Sequence, residues 1–193
     1  MKGERNREGF TLAEMLVTIA IIALLAAVIV PAVGGALFKG DIGRVQSDLT
    51  NIRVGIEQFY SDVRRYPGGA DDLSSVILAA GTDLNTTATP VAYGASIVPR
   101  WKGPYINTVA GSTGAGGTIA TNFLRVDCST ALATITTTPC LEIIVTGISV
   151  AKVTRIDAAM DDGVTTTGTV RFAAGTPGST PDTLKYLAIP MQP

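Results

Sequence analysis

An uninterrupted apolar segment near the N-terminus constrains this chain more than any other feature. Residues 15–38 carry no charged side chain, and almost all of them are Leu, Ile, Val, Ala or Met. A helix of this length extends about 36 Å, which is enough to cross the hydrocarbon core of a bilayer. A buried helix of a water-soluble domain is normally shorter and carries a polar stripe. The segment therefore predicts a membrane-spanning helix.

The composition excludes several classes of function. The 193 residues include 15 Lys and Arg against 16 Asp and Glu, so there is no basic surplus to neutralise the phosphates of a nucleic acid. The absence of histidine excludes Ser-His-Asp triads and histidine metal sites. No pairing of a nucleophile with a base is evident in the sequence, so we expect neither a nucleic-acid partner nor an enzymatic activity.

A short polar segment precedes the apolar one. Its basic residues Lys2, Arg5 and Arg7 favour a cytoplasmic N-terminus. An ordinary secretory signal peptide is the simplest alternative, but no small-x-small cleavage pattern follows a short apolar core. Glu14 also lies at the edge of the apolar segment, where an uncompensated charge is energetically unfavourable.

Residues 9–17, with the sequence Gly-Phe-Thr-Leu-Ala-Glu-Met-Leu-Val, resemble the prepilin motif of type IV pilins and type II secretion pseudopilins. The resemblance implies that a prepilin peptidase and methyltransferase removes leader residues 1–9 by cleaving after Gly9, and then methylates the new N-terminus at Phe10. It also places Glu14 fifth and Pro31 twenty-second in the mature chain, where the family has a glutamate and often a helix-kinking proline.

The resemblance implies a role in filament assembly for Glu14 and Pro31. In a filament of staggered subunits, Glu14 of one chain would pair with the Phe10 amine of a neighbour and set the axial register. In the alternative, Glu14 extends only to the membrane interface. Pro31 lacks an N–H and is expected to bend or locally melt the helix, although transmembrane helices also tolerate proline.

An amphipathic helix is predicted directly after the apolar segment. Apolar residues recur at alternating spacings of three and four, which gives one apolar stripe on a helix, at Ile42, Val45, Leu49, Ile52, Ile56, Phe59 and Val63. The helix should end near Arg65, because the Pro-Gly-Gly sequence at 67–69 does not continue it. We therefore predict one helix over residues 10–65, with a transmembrane or filament-core half over 10–38 and an amphipathic half over 39–65.

Residues 66–193 are predicted to form a globular domain. The pattern indicates helices over 71–80 and 149–161, the second capped by Ser149, and a long loop over 82–118. Strands are predicted over 118–127, 141–146, 169–173 and 184–189. We expect an α+β fold in which an antiparallel sheet packs on the amphipathic half of the long helix, as in type IV pilins.

Two local sequences resemble elements of the major pseudopilin of type II secretion. They are Asp-Val-Arg-Arg-Tyr-Pro at 62–67 and Trp-Lys-Gly-Pro-Tyr at 101–105. They predict that Asp62 pairs with Arg65, and that Trp101 and Tyr105 cover the helix. The C-terminal region departs from this resemblance, because the family closes with an aspartate-bearing calcium loop and a tryptophan, whereas the one tryptophan here is Trp101.

Two further groups of side chains are candidate sites. Cys128 and Cys140 are the two cysteines of an exported domain, which favours a disulfide over two buried thiols. Asp157, Asp161 and Asp162 offer oxygen ligands suited to calcium, although acidic residues before a glycine are also common in turns. No other cofactor is expected.

The sequence thus predicts a structural subunit of a helical filament, most consistent with a pseudopilin of a type II protein secretion system. The resemblance implies a single-pass bacterial inner-membrane protein with a periplasmic C-terminal domain, which later enters a periplasmic or cell-surface filament. It also implies several partners: further copies or related subunits, the prepilin peptidase, an inner-membrane platform protein with its assembly ATPase, and an outer-membrane secretin. A surface type IV pilin for adhesion or motility is the main alternative, ahead of a non-polymerising membrane-anchored binding domain.

Overall fold

The computed structural model describes residues 10–78, 81–84, 91–107, 117–129, 138–175 and 182–191. By internal contacts the chain divides into two compact units, Met1–Gly40 and Asp41–Pro193. The helices are α1 (Leu12–Val63), α2 (Asp71–Ser74) and α3 (Val150–Met160), and a 3₁₀ turn covers Val98–Arg100. The strands are β1 (Thr82–Asp83), β2 (Val91–Ala92), β3 (Thr118–Ile119), β4 (Leu124–Asp127), β5 (Pro139–Thr146), β6 (Val170–Ala173) and β7 (Thr183–Pro190).

Helix α1 begins and ends two residues inside the predicted range of 10–65. Its end coincides with a left-handed backbone at Arg64, where φ is 59°, and the Tyr66-Pro67 pair then prevents continuation. All seven residues of the predicted apolar stripe are buried. The charged residues between them are exposed or half-buried, so the amphipathic interpretation of this half is confirmed.

Within the described residues, the globular unit is built on a five-stranded antiparallel sheet. Strand β5 lies in the middle and pairs with β7 along one edge, while β3 and β4 pair with successive segments of its other edge. Strand β6 pairs with the outer edge of β7. Both eight-residue strands, β5 and β7, are rich in Ile, Leu and Val and are largely buried, which matches their content of β-branched and apolar residues.

The amphipathic half of α1 packs against this sheet and against α3. Tyr186 of β7 raises the pKa of Arg53, which places the two side chains near one another. Lys152 of α3 places its Nζ 3.3 Å from Asp41 Oδ2 at the start of this half. The α+β fold predicted from the sequence is therefore confirmed.

Several short elements differ from prediction. The predicted strand 118–127 is two strands, because the segment between them turns to Gly69 and Ala70: Gly69 forms a β-bridge with Asn122, and the Ala70 amide donates to the Thr121 carbonyl at 2.8 Å. Helix α3 has Ser149 at its N-cap position, but the Ser149 side chain makes no capping hydrogen bond. The backbone carbonyl of Ser149 instead accepts hydrogen bonds from the amides of Lys152 and Val153.

The helix predicted over 71–80 ends at Ser74, and residues 79–80 lie outside the described part of the chain. The Leu73 carbonyl accepts the amide of Tyr105 at 2.7 Å, so a distant segment takes an acceptor that a longer helix would need. The segment predicted as a loop over 82–118 contains the antiparallel pair β1–β2 and the 3₁₀ turn. Its residues 85–90 and 108–116 are outside the described ranges.

Candidate functional site

The N-terminal half of α1 presents an apolar surface. Among the described residues, one helix segment is long and apolar enough to cross a membrane, Leu12–Val30, and none of it is buried within the chain. Its large apolar side chains are about half exposed or more, and Phe10, just before the helix, is 85% exposed. An apolar surface this large requires lipid or another apolar partner.

Glu14 closes the first turn of α1 by a reciprocal contact with Thr11. The Thr11 amide and the Thr11 hydroxyl both donate to Glu14 Oε2 at 2.9 Å. The Glu14 amide in turn donates to Thr11 Oγ1 at 3.3 Å. This arrangement is a capping box, which satisfies backbone donors at the start of a helix. The sequence interpretation missed Thr11, although the Thr-x-x-Glu spacing at residues 11–14 is the signature that identifies it.

The remaining predicted assembly residues lie near this cap or farther along α1. Gly9 and the rest of leader residues 1–9 lie outside the described ranges, so cleavage there stays a prediction. Pro31 lies among helical residues of α1, which contradicts local melting at this position, whereas the predicted bend stays a prediction. Glu14 and Phe10 are four residues apart in the sequence, whereas Pro31 lies 17 residues beyond Glu14.

A second cluster joins the C-terminal end of α1 to residues 101–105. The Tyr105 hydroxyl donates to Asp62 Oδ2 at 3.1 Å, and Lys102 Nζ lies 3.5 Å from Asp62 Oδ1. The Lys102 amide also donates to the Tyr105 hydroxyl at 2.9 Å. The two sequences that resemble the major pseudopilin are therefore in direct contact through Asp62 and Tyr105.

Aromatic packing supports the same contact. The ring centroid of Tyr105 lies 5.6 Å from that of Phe59 in α1 and 5.8 Å from that of Trp101, both in edge-on geometry. The Trp101 indole N–H donates to the Asp72 carbonyl of α2 at 2.8 Å. A Cβ at Gly103 would come within 2.8 Å of both aromatic side chains, so this close packing requires glycine. The prediction that Trp101 and Tyr105 cover the helix is confirmed for Tyr105, and Trp101 packs against the ring of Tyr105.

The predicted ion pair between Asp62 and Arg65 is wrong. Arg65 instead places its Nη1 3.2 Å from Asp83 Oδ2, and Asp83 is fully buried in β1. A buried carboxylate needs a charged or hydrogen-bonding partner more than a half-exposed one does, which explains why Arg65 turns to Asp83. Asp62 remains available to Lys102 and Tyr105.

Asp72 links α2 to the segment that follows α1. Its Oδ2 accepts from the Gly68 amide and from the Tyr93 hydroxyl, each at 2.8 Å. Burial raises the pKa of Asp72, and the Tyr93 hydroxyl and the glycine amides partly oppose the shift. Burial also raises the pKa of Tyr93, and the neighbouring Asp72 adds to the shift. The pair is therefore a structural contact in which the tyrosine stays protonated.

Cys128 and Cys140 form the predicted disulfide, with an S–S distance of 2.02 Å. Cys128 directly follows β4, and Cys140 is the second residue of β5. The bridge therefore links the end of β4 to the start of β5, its neighbour in the sheet. Residues 130–137 of the enclosed segment are outside the described ranges.

The three predicted calcium ligands come together. Asp157, in the last turn of α3, and Asp161 and Asp162, which follow it, place carboxylate oxygens within 4.8 Å of one another. Asp157 is buried, whereas the other two are exposed. This cluster lies in the globular unit, apart in sequence from the N-terminal cap.

Comparison with known proteins identifies both the N-terminal segment and several relatives. Residues 5–30 match the profile of the prokaryotic N-terminal methylation motif. The type II secretion system core protein G of Klebsiella pneumoniae is 32% identical over 86 residues, which is 45% of this chain and 61% of that protein. The protein of the same name from Escherichia coli K12 is 32% identical over 41% of this chain and 54% of its own length.

A type IV major fimbrial protein, FimA of Dichelobacter nodosus, is 31% identical over 43% of this chain and 54% of its own length. The chain thus spans about half to three fifths of the length of the curated relatives it matches. No solved structure matches the chain.

Proposed function

The methylation motif and the named relatives support the type IV pilin and pseudopilin family for this chain, and on that premise we propose that it is a pseudopilin, a structural subunit of a type II secretion filament. Its role is structural rather than enzymatic. The fimbrial relative keeps a surface pilus as the second candidate, but the core G proteins carry the stronger similarity.

The observation that carries the proposal is the helix segment Leu12–Val30, none of which is buried within the chain. Such a segment is stable in lipid, and it can also pack against the same segment of other copies, because both environments remove its apolar surface from water. One helix therefore serves first as a membrane anchor and then as the core of a filament.

Maturation precedes assembly in this proposal. A prepilin peptidase cleaves after Gly9, and methylation of Phe10 follows. The basic residues of the leader keep this end in the cytoplasm, so the C-terminal domain lies in the periplasm. The disulfide between Cys128 and Cys140 fits that oxidising compartment.

The partners follow from the same proposal. Extraction of an apolar helix from lipid requires work, which an assembly ATPase supplies through an inner-membrane platform protein. The filament grows toward an outer-membrane secretin. Glu14 provides the charge that meets the Phe10 amine of a neighbouring subunit, and this pairing fixes the register as a buried polar residue does in a coiled coil.

The test is a Glu14→Leu substitution in the full chain, produced in cells that carry a complete type II secretion system. The variant is expected to be cleaved and inserted normally, because the peptidase site at Gly9 and the apolar segment are unchanged. The yield of cross-linked multimers in the cell-envelope fraction should fall about tenfold or more, which corresponds to about 1.4 kcal/mol in an assembly equilibrium. Mass spectrometry measures the mature N-terminus, and immunoblotting of the cross-linked material measures filament assembly.

Glu57→Leu is the matched control, because Glu57 is an exposed carboxylate on the amphipathic half of the same helix. It should retain the wild-type filament yield. Wild-type yield from Glu14→Leu would contradict the assigned role of Glu14. Long surface fibres from the unmodified chain would favour the pilus, and an unmodified chain that stays monomeric in the membrane would favour the anchored binding domain.

A further inference from the structure

Arg171 of β6 is a buried cation that joins two segments far apart in the sequence. The residue is 8% exposed. Its Nε donates to the Gly168 carbonyl at 3.0 Å, and its Nη2 donates to the Cys128 carbonyl at 3.0 Å. Gly168 belongs to the α3–β6 loop, residues 161–169, whereas Cys128 lies 43 residues before Arg171. One guanidinium therefore connects this loop to a cysteine of the disulfide.

The Cys128 carbonyl lies at the end of the pairing between β4 and β5. The last paired residues are Asp127 and Pro139, and the Cys128 amide then donates to the Thr138 carbonyl at 2.8 Å. The end of a strand pair opens more easily than its centre, because it is supported from one side only. The disulfide to Cys140 closes this end covalently. The position of the Cys128 carbonyl therefore depends on the disulfide.

Arg171 needs acceptors that stay in place. A guanidinium keeps its charge in a protein, and a buried charged donor that loses its acceptor is strongly unfavourable. The surroundings of Arg171 also include Glu142 of β5, which is fully buried. Burial raises the pKa of Glu142, and the charges of Lys185 and Arg171 oppose that shift. If the Cys128 carbonyl moves away, Arg171 has to turn to another acceptor, and its contact with Gly168 is disturbed.

The α3–β6 loop covers one edge of β6. Strand β6 is last in the strand order β3–β5–β7–β6 and pairs with β7 along its other edge. The Val170 amide donates to Asp161 Oδ2, and the Phe172 amide donates to the Thr165 carbonyl at 2.8 Å. Uncovered amides at the edge of a sheet are able to pair with a strand of another chain. The loop therefore protects this edge as long as it stays folded against β6.

We propose that Arg171 couples the disulfide to the α3–β6 loop, so that the loop covers the edge of β6 in the oxidised chain and opens in the reduced chain. Reduction by a dithiol breaks the S–S bond, adds two electrons and two protons to give two thiols, and converts the dithiol to a disulfide. The Cys128 end of β4 then frays, and Arg171 no longer holds the loop. An unoxidised subunit thus exposes the amides of Val170 and Phe172, whichever filament the chain enters.

The test measures amide hydrogen exchange of the full chain in detergent by mass spectrometry of its peptides. The wild type is compared with Cys128→Ala/Cys140→Ala, which represents the chain without the disulfide. Exchange of a peptide that contains Val170 and Phe172 should become about tenfold faster, because a hydrogen bond from a buried charged group stabilises by that factor or more. The factor is taken relative to a peptide from the buried stripe of α1, residues 49–59, since a general loss of stability accelerates both peptides.

Arg171→Lys tests the role of the guanidinium. Lys keeps a positive charge near Glu142, but an ammonium group does not reproduce the planar fork that donates to two carbonyls at once. With the disulfide intact, this variant should already show the fast exchange, and removal of the disulfide should add less than about twofold. Arg100→Lys is the matched control, because Arg100 is an exposed arginine of the 3₁₀ turn. It should keep both the slow exchange of the oxidised chain and the tenfold response.

Three results would overturn the proposal. The first is equal acceleration of the β6 peptide and the α1 peptide on loss of the disulfide, because the disulfide would then act on the whole unit. The second is an unchanged β6 peptide, and the third is a full tenfold response in Arg171→Lys. If Arg171→Lys does not fold, the cysteine variant decides alone: faster exchange should appear both at the Cys128 end of β4 and in β6, and acceleration confined to β4 would contradict the coupling.

Discussion

The two halves of α1 differ in whether their apolar side chains are exposed or buried. In Leu12–Val30 the large apolar residues are exposed, whereas the stripe from Ile42 to Val63 is completely covered by the rest of the globular unit. Both halves belong to one helix, and their apolar side chains are drawn largely from the same residue types, Leu, Ile and Val. The difference shows that, among the described residues, buried apolar side chains of α1 begin only after Asp41, whereas the apolar surface of the first half is left exposed within the chain.

Each region also contains a carboxylate that is unusual for its surroundings. Glu14 lies at the start of the exposed apolar segment and is held by Thr11. Glu142 lies in β5, is fully buried, and has Lys185 Nζ 3.6 Å from its Oε1. Glu14 therefore lies at an apolar surface that is exposed within the chain, whereas Glu142 lies in the interior of the globular unit.

The sharpest test of this comparison removes one large apolar side chain from each half of α1. Phe59 is fully buried, so Phe59→Ala should lower the free energy of unfolding of the globular unit by about 3–5 kcal/mol. Leu24 is 71% exposed, so Leu24→Ala should change it by less than about 0.5 kcal/mol. Urea unfolding of the full chain in detergent, followed by Trp101 fluorescence, measures both. A comparable loss in the two variants would break the distinction between the halves.

The disulfide should stabilise the globular unit alone. Its cysteines are 12 residues apart, and a loop of that size gives about 2–3 kcal/mol in the chain-entropy description. The double variant Cys128→Ala/Cys140→Ala should therefore unfold at lower urea concentration, while its membrane insertion stays unchanged. The unmodified chain in reductant is the control and should show a similar loss. A shift in insertion efficiency would mean that the two regions are coupled.

The smallest expected effect on stability comes from the buried carboxylate of Glu142. Burial raises its pKa, and the charges of Lys185 and Arg171 partly oppose the shift. A raised pKa means that the folded state binds more protons, so this group makes the protein less stable as the pH rises above about 4.5 through the folded pKa. Glu142→Gln should flatten that slope, with an effect on the order of 1 kcal/mol. Glu57→Gln, at an exposed site, should leave the slope unchanged, and the slopes come from urea unfolding at a series of pH values.

The features predicted correctly from the sequence are those that local pattern determines. The apolar stripe of α1 was predicted because residues three and four apart share one face of a helix, whatever covers that face. Strand β5 follows from a run of β-branched residues, and the pairing of Cys128 with Cys140 from the expected compartment. The cluster of Asp157, Asp161 and Asp162 was visible because a helix and a short loop bring them together locally.

The features that were missed depend on distant partners. Arg65 was paired with Asp62 because that residue is nearest in sequence, but the buried Asp83 lies 18 residues away. Helix α2 ends early because Tyr105, more than thirty residues later, donates to the Leu73 carbonyl. The break between β3 and β4 follows from the contacts of residues 121–122 with Gly69 and Ala70. No local pattern contains these contacts, since each is created by the tertiary fold.

In the capping box, the two carboxylate oxygens of Glu14 differ in their hydrogen bonds. Both donors of Thr11 reach Oε2, and the amide that donates belongs to the Phe10–Thr11 peptide bond, which cleavage after Gly9 leaves intact. Among the described residues, no hydrogen bond is made to Oε1, which leaves that oxygen for a donor from outside the helix. In the proposed filament, Glu14 therefore holds the first turn of its own helix through Oε2 and offers Oε1 to the amine of a neighbouring subunit, so that assembly does not require the helix end to unwind.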